Sequence, residues 1–126
     1  MEAINRAREK SRKAIESMYS GFCDIYEYRK VKDSVTEITA VAESQVVEKQ
    51  PCLITFSVLQ SAAQSDSVSS LVQSIKLFIA PEITINPGSK IVVTQNGRTT
   101  EYKNSGQPAV YTTHQEINLE LYEGRA

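Results

Sequence analysis

Hydrophobic and polar positions change period near residue 21. Before it, residues 2–19 (EAINRAREKSRKAIESMY) place Ile4, Ala7, Ala14, Ile15 and Met18 near one helical stripe, with no Gly or Pro. This predicts an α-helix stopped by Gly21. The stripe is thin and Ser11 interrupts it, so such a helix packs loosely on its own domain or completes its burial against another subunit. After Gly21 the period is two. Strands are predicted at Phe22–Tyr28, Val35–Ala42, Val46–Val58, Leu71–Ala80, Glu82–Ile85, Lys90–Gln95, Arg98–Tyr102, Ala109–Thr113 and Gln115–Tyr122. Cys52, Ile54, Phe56 and Val58 form one apolar face, and Ile117, Leu119 and Leu121 another. Turn signals fill the gaps: Val31–Ser34, Asn86-Pro87-Gly88, Asn96-Gly97 and the loop Lys103–Pro108. Pro51 marks an edge position or a bend.

Residues 59–70 (LQSAAQSDSVSS) interrupt this pattern, with neither alternation nor a helical stripe. A loop of that length inside a small domain is uncommon and tends to be functional or disordered. The expectation is a mainly β chain: a small antiparallel β-barrel with an N-terminal α-helix and one long inter-strand loop. One domain spans 1–126, with the helix at 2–19, the barrel at 22–122 and the loop at 59–70.

Composition adds little to this except through its distribution of charge. The net charge is −1, which gives no overall attraction for nucleic acid. Basic residues nevertheless concentrate at the start, in Arg6, Arg8, Lys10, Arg12 and Lys13. They make either a solvated helix face or a docking face for an acidic surface. No apolar run reaches the roughly 18 residues of a membrane span, and no signal-peptide core follows the basic residues. Cys23 and Cys52 lie in apolar strands and suit a reducing compartment as buried thiols.

Candidate chemistry is sparse. His114 is the single histidine, too few for a metal site without both cysteines converging on it. It is expected at a strand junction, making one hydrogen bond. The carboxylates are scattered, with no obvious acid–base pair. Gly88, Gly97 and Gly106 sit in separate turns and make no phosphate loop. The expectation is no enzyme, no catalytic residue, no metal and no cofactor.

The run LFIAPEITINPGSKIVV, the Asn96-Gly97 hairpin, Tyr102, the turn before GQPAVY and the ending HQEINLELYE carry a family resemblance. In that order they resemble the head–tail connector proteins of long-tailed phages and prophage-like elements: head-closure, stopper or head-completion proteins. The resemblance spans Phe22–Tyr122. It implies a structural virion protein, assembled in the bacterial cytoplasm, that forms a ring below the portal and adaptor. Such a ring closes the DNA channel and offers a surface to the tail. The chain is then a monomer in isolation and a homo-oligomeric ring in the virion, meeting DNA only by proximity and no membrane. The long loop takes the place of the channel-closing loop, with Gln60, Gln64, Ser65, Asp66 and Ser69 as its face. Arg6, Arg8, Arg12 and Lys13 become candidates for docking on the adaptor side. A tail-completion or neck protein is the alternative within this class, and a small-barrel nucleic-acid-binding module is the alternative outside it.

Overall fold

The computed structural model describes residues 2–32, 35, 39–60 and 71–123. One helix, α1 (Glu2–Glu16), precedes seven strands: β1 (Gly21–Lys32), β2 (Thr39–Gln60), β3 (Leu71–Ile79), β4 (Lys90–Gln95), β5 (Arg98–Asn104), β6 (Ala109–Val110) and β7 (Gln115–Leu121). Every pairing is antiparallel. The sheet order runs β3-β2-β1-β4-β5-β7-β6, and β3 also pairs with β7. Six strands therefore close into a ring, and β6 lies as a short flap on the start of β7. The expected mainly β class, with its N-terminal helix, is what the chain adopts.

The ring closes around Ile25, Leu77, Ile79, Ile91, Val93 and Ile117, each at most 1% exposed. These are alternate positions on their strands, so one face of each strand is removed from water. The turns follow their residue types. Asn96 and Gly97 both take positive φ, as a two-residue hairpin between β4 and β5 requires. Pro87 and Gly88 (φ 82°) turn the chain into β4, with Ser89 N–H donating to Asn86 O at 3.1 Å.

The structure departs from the predicted element boundaries: β1 runs on to Lys32 through the start of the predicted Val31–Ser34 turn, the predicted strand Ala109–Thr113 is only β6, and three further departures bear on the fold. The stretches predicted as two strands, Val35–Ala42 and Val46–Val58, belong largely to one strand, β2, and Val35 lies in a turn. Two register shifts in β2, opposite Asp24 to Tyr26, break its alternation. Lys49 adopts φ 46° there, and Asp24 Oδ1 holds the irregularity by accepting Lys49 N–H at 2.9 Å and the Gln45 amide at 3.2 Å. Glu82–Ile85 is not a strand. Its neighbourhood is tied down by side chains instead. The buried Gln115 amide donates to Ala80 O and Ile83 O, and the buried Asn104 amide donates to Ile85 O and Asn86 O. Thirdly, α1 ends three residues early and Met18 is 61% exposed, because the thin stripe gives the last turn little to pack against.

β2 is 22 residues long, far beyond a usual strand, and changes partner midway. Thr39–Cys52 pairs with β1, and Cys52–Gln60 pairs with β3. Pro51, which has no N–H to donate, falls one residue before the β3 ladder begins. β4 covers β1 only from Phe22 to Tyr26, and β7 covers β3 only from Ile75 to Ile79. Two ribbons consequently extend past the ring along opposite directions of β2. The first arm joins residues 27–32 to 39–44. The second joins residues 57–60 to 71–74.

Candidate functional site

The predicted loop 59–70 is strand at its start, because Leu59 and Gln60 belong to β2 at the end of the second arm. Gln60 ends β2 and pairs in register with Leu71. Gln64, Ser65, Asp66 and Ser69 lie outside the described residues. Phe56 and Val58 continue the inward face of the barrel onto this arm, where they are 52% and 64% exposed. Beside them a groove of about 300 Å³ is lined by Ile54, Phe56, Val93, Gln95, Arg98 and Tyr102, among others.

The predicted docking face divides in two. Arg6, Arg8 and Lys13 are exposed on α1, with Arg6 near Glu2 at 4.0 Å. Arg12 is engaged within the chain. Its guanidinium donates through both terminal nitrogens to Glu82, the longer of the two bonds being 2.8 Å, and its Nε lies 3.5 Å from Glu16. The Glu82 carboxyl is held below the usual range by this bond, and the guanidinium is raised in turn. A two-pronged pair of this kind fixes orientation more than it stabilises, since both groups meet solvent. Arg12 therefore sets where α1 lies on the barrel. The other three basic side chains are left facing outward.

Between α1 and the barrel runs a second groove, about 160 Å³, lined by Ile15, Met18, Tyr19, Leu53, Thr55, Phe78 and His114. His114 stacks on Tyr111 (ring centroids 5.0 Å apart) and lies 5.7 Å from Phe78. Its Nε2 is 2.9 Å from Glu116 Oε2 and its Nδ1 is 3.0 Å from Thr113 Oγ1. Because a carboxylate only accepts, Nε2–H donates to Glu116. The histidine does sit at a strand junction, between β6 and β7, but makes two side-chain hydrogen bonds where one was expected. Hydroxyl, imidazole and carboxylate stand in line, yet Thr113 and His114 come from the β6–β7 connection and Glu116 from the start of β7, all within one short stretch of chain. Tyr111 N–H bonded to His114 O at 2.8 Å fastens that connection as a turn.

Glu116 also meets Lys76 at 3.2 Å, and its carboxyl is held low, first by His114 and then by Lys76. A carboxyl depressed in the folded state contributes stability above its unfolded pKa and loses it as pH falls through the folded value. Glu116→Gln should therefore lower stability near neutral pH by up to about 1 kcal/mol, with the difference shrinking below about pH 4. Urea midpoints measured at pH 7 and pH 3 would check this; an undiminished difference at pH 3 would overturn it.

A third cluster had no sequence signature. Lys90 lies 3.1 Å from both Glu43 and Glu101, over the rings of Tyr26 and Tyr122 at 5.2 and 5.3 Å. Burial lowers its pKa, but the hydrogen bonds to Glu101 and Glu43 outweigh this and the ammonium is pushed up to about 12. Tyr28 and Tyr122 share a hydrogen bond between their hydroxyls, which with burial and Glu43 pushes Tyr28 up to about 12. These contacts staple the base of the first arm to the barrel. The partners lie up to 94 residues apart, so no local motif could announce them.

Cys23 and Cys52 are fully buried free thiols. The Cys23 thiol is pushed up by its hydrogen bond to Cys52 and then by burial, which disfavours the reactive thiolate. Among the described residues, no group of three His, Cys, Asp or Glu side chains could hold a metal ion. Among them, too, no helix is long and apolar enough to cross a membrane.

No protein-family model matches the chain, and no curated protein matches its sequence. Among solved structures the chain is similar to the phage-like element PBSX protein xkdH from Bacillus subtilis. The TM-score is 0.51 at 17% identity, covering 81% of this chain and 93% of that one. At that identity the likeness is one of fold. It places this barrel, over nearly the full length of the other chain, in the same architecture as a protein of a prophage-like element.

Proposed function

We propose that this chain is a structural virion protein of a phage head–tail connector. In this role it forms a ring below the portal and adaptor, closes the DNA channel and presents a surface to the tail. The observation that carries the reading is the shared fold with the prophage-element protein across most of both chains. The motif order from Leu77 to Glu123 supports it from the side of the sequence. The two arms supply a physical rationale. A barrel wall with ribbons running out at both ends can meet one neighbour above and another below.

Arg6, Arg8 and Lys13 are then the contact for an acidic surface on the adaptor side, on a helix whose angle Arg12 and Glu82 set. Closing a channel with a segment whose charged group is Asp66 alone is consistent with the task. It obstructs DNA without the salt-dependent grip that basic residues have on phosphates.

The test is assembly. Purified chain is mixed with DNA-filled heads that carry portal and adaptor but lack this protein, and the particles are viewed by electron microscopy. The expected result is a ring of added density at the head exit. Binding to isolated tails and not to heads would replace this reading with a tail-completion role. Binding to neither would remove it.

A further inference from the structure

We propose that neighbouring copies of this chain join through their second arms, the open edge of β2 in one copy pairing antiparallel with the open edge of β3 in the next. This rests on the ring reading above and names the surface that closes the ring.

Both edges exist because the ring strands stop short of the arm. β1 begins at Gly21, opposite Cys52, so residues 53–60 of β2 have β3 on one side and, among the described residues, no strand on the other. A side chain covers the first of these positions. Gln95 Oε1 accepts Ile54 N–H at 2.9 Å, and Gln95 Nε2 donates to Ile54 O at 3.1 Å, in imitation of a paired strand. Backbone groups of alternate residues point the same way along a strand. Phe56 and Val58 therefore direct their N–H and C=O outward, beyond the reach of Gln95. On β3 the same alternation turns Leu77, Ile75 and Gln73 toward β7. Leu77 and Ile75 find Ile117 and Leu119 opposite them. Gln73 finds instead a groove of about 380 Å³.

Charge selects the occupant. Exposed strand edges are normally blunted by charged residues. The first arm follows that rule with Glu27, Lys30 and Glu43. The second does not: between Lys49 and Lys76 the one charged residue is Asp66. A basic strand laid along β2 would set its charge against Phe56 and beside Arg98 of the same groove. An uncharged strand would not, and the β3 edge of the same arm is one.

The geometry also repeats. A closed ring needs a head-to-tail contact between two different surfaces, and β2-to-β3 is such a contact. β2 and β3 are antiparallel inside the arm with Val58 opposite Gln73. Continuing that register places Val58 opposite Gln73 of the next copy and leaves every strand antiparallel to its neighbour. A few residues of pairing make a weak contact alone, strengthened where an assembled ring holds many copies side by side.

Two single variants of the full chain, Val58→Cys and Gln73→Cys, test the pairing. Each is oxidised mildly at high concentration alone, and then the two are mixed. Disulfide-linked dimers should form at least about tenfold more in the mixture than with either variant alone, since only unlike positions meet. Equal dimerisation of Val58→Cys alone would replace the proposal with a two-fold β2-to-β2 contact, and no excess of mixed dimers would overturn it. A third variant, Val58→Lys, puts a charge on the exposed edge and should keep its melting temperature while joining filled heads about tenfold less. If it joins them like the unaltered chain, the arm pairing fails and the ring reading stands. If the unaltered chain does not join heads, the ring reading fails, and the cross-links still decide the pairing.

Discussion

Replacing residues 61–70 by an Asn-Gly turn is expected to leave the protein folded and filled heads leaking their DNA. The structural half of this expectation follows from the register of the second arm. Gln60 and Leu71 already stand opposite one another at its end, so a two-residue turn can join them without moving either strand. Shortening the connection from ten residues to two relaxes the closure entropy by roughly 1 kcal/mol in favour of folding. The core shared by β1, β2, β3 and β7 lies on the barrel side of Phe56 and Ile75. Circular dichroism and the melting temperature should therefore be close to those of the unaltered chain. The functional half follows from the proposed role. With Gln64, Ser65, Asp66 and Ser69 removed, the ring keeps its wall and loses what obstructs its channel. Nuclease-resistant DNA per head should fall while protein per head is unchanged. Full retention of DNA would remove the channel role of this segment, and an unfolded variant would show that it belongs to the core.

The parts of the fold that were legible in the sequence are those whose cause is local. Asn96-Gly97 and Asn86-Pro87-Gly88 announce their turns because positive φ and a fixed proline φ are properties of the residues themselves. The alternation of Ile117 and Leu119 with Glu116 and Asn118 reports a strand with one buried face. Where the cause is distant, the pattern misleads. β2 reads as two strands because its first stretch stands in a two-stranded ribbon and its register shifts twice near Val46–Lys49. Ile83 and Ile85 alternate like a strand, but their carbonyls are taken by the side chains of Gln115 and Asn104, far along the chain. Lys90 reads as an ordinary surface lysine until the fold brings Glu43, Glu101 and Tyr122 to it. The open edge of β2 did leave a trace, since a stretch from Gln50 to Ser65 without one charged residue is unusual for a strand that nothing covers. That trace acquires meaning only once β1 is seen to begin at Gly21, opposite Cys52.

Leu77→Ala is expected to have the largest effect on stability of any single truncation in the barrel wall. Leu77 is fully buried at the middle of β3, with Ile54 opposite it on β2 and Ile117 opposite it on β7. It therefore touches the seam where the ring closes, and removing its isobutyl group opens a cavity that strands held from both sides cannot collapse. Losses for such truncations run to about 2–5 kcal/mol, a large fraction of the roughly 5–15 kcal/mol that holds a domain together. The melting temperature should fall by on the order of 10 °C. The helix offers no compensation, because α1 has no buried residue and touches the barrel mainly through Arg12, Ile15 and the turn after it. Ile4→Ala, on a side chain 50% exposed, is the matched control and should cost less than about 0.5 kcal/mol. Calorimetry on both variants separates the alternatives. Were the helix variant to lose as much as the strand variant, stability would reside in a helix–barrel interface, and α1 could not at the same time be the loosely held arm that presents Arg6, Arg8 and Lys13 to a partner.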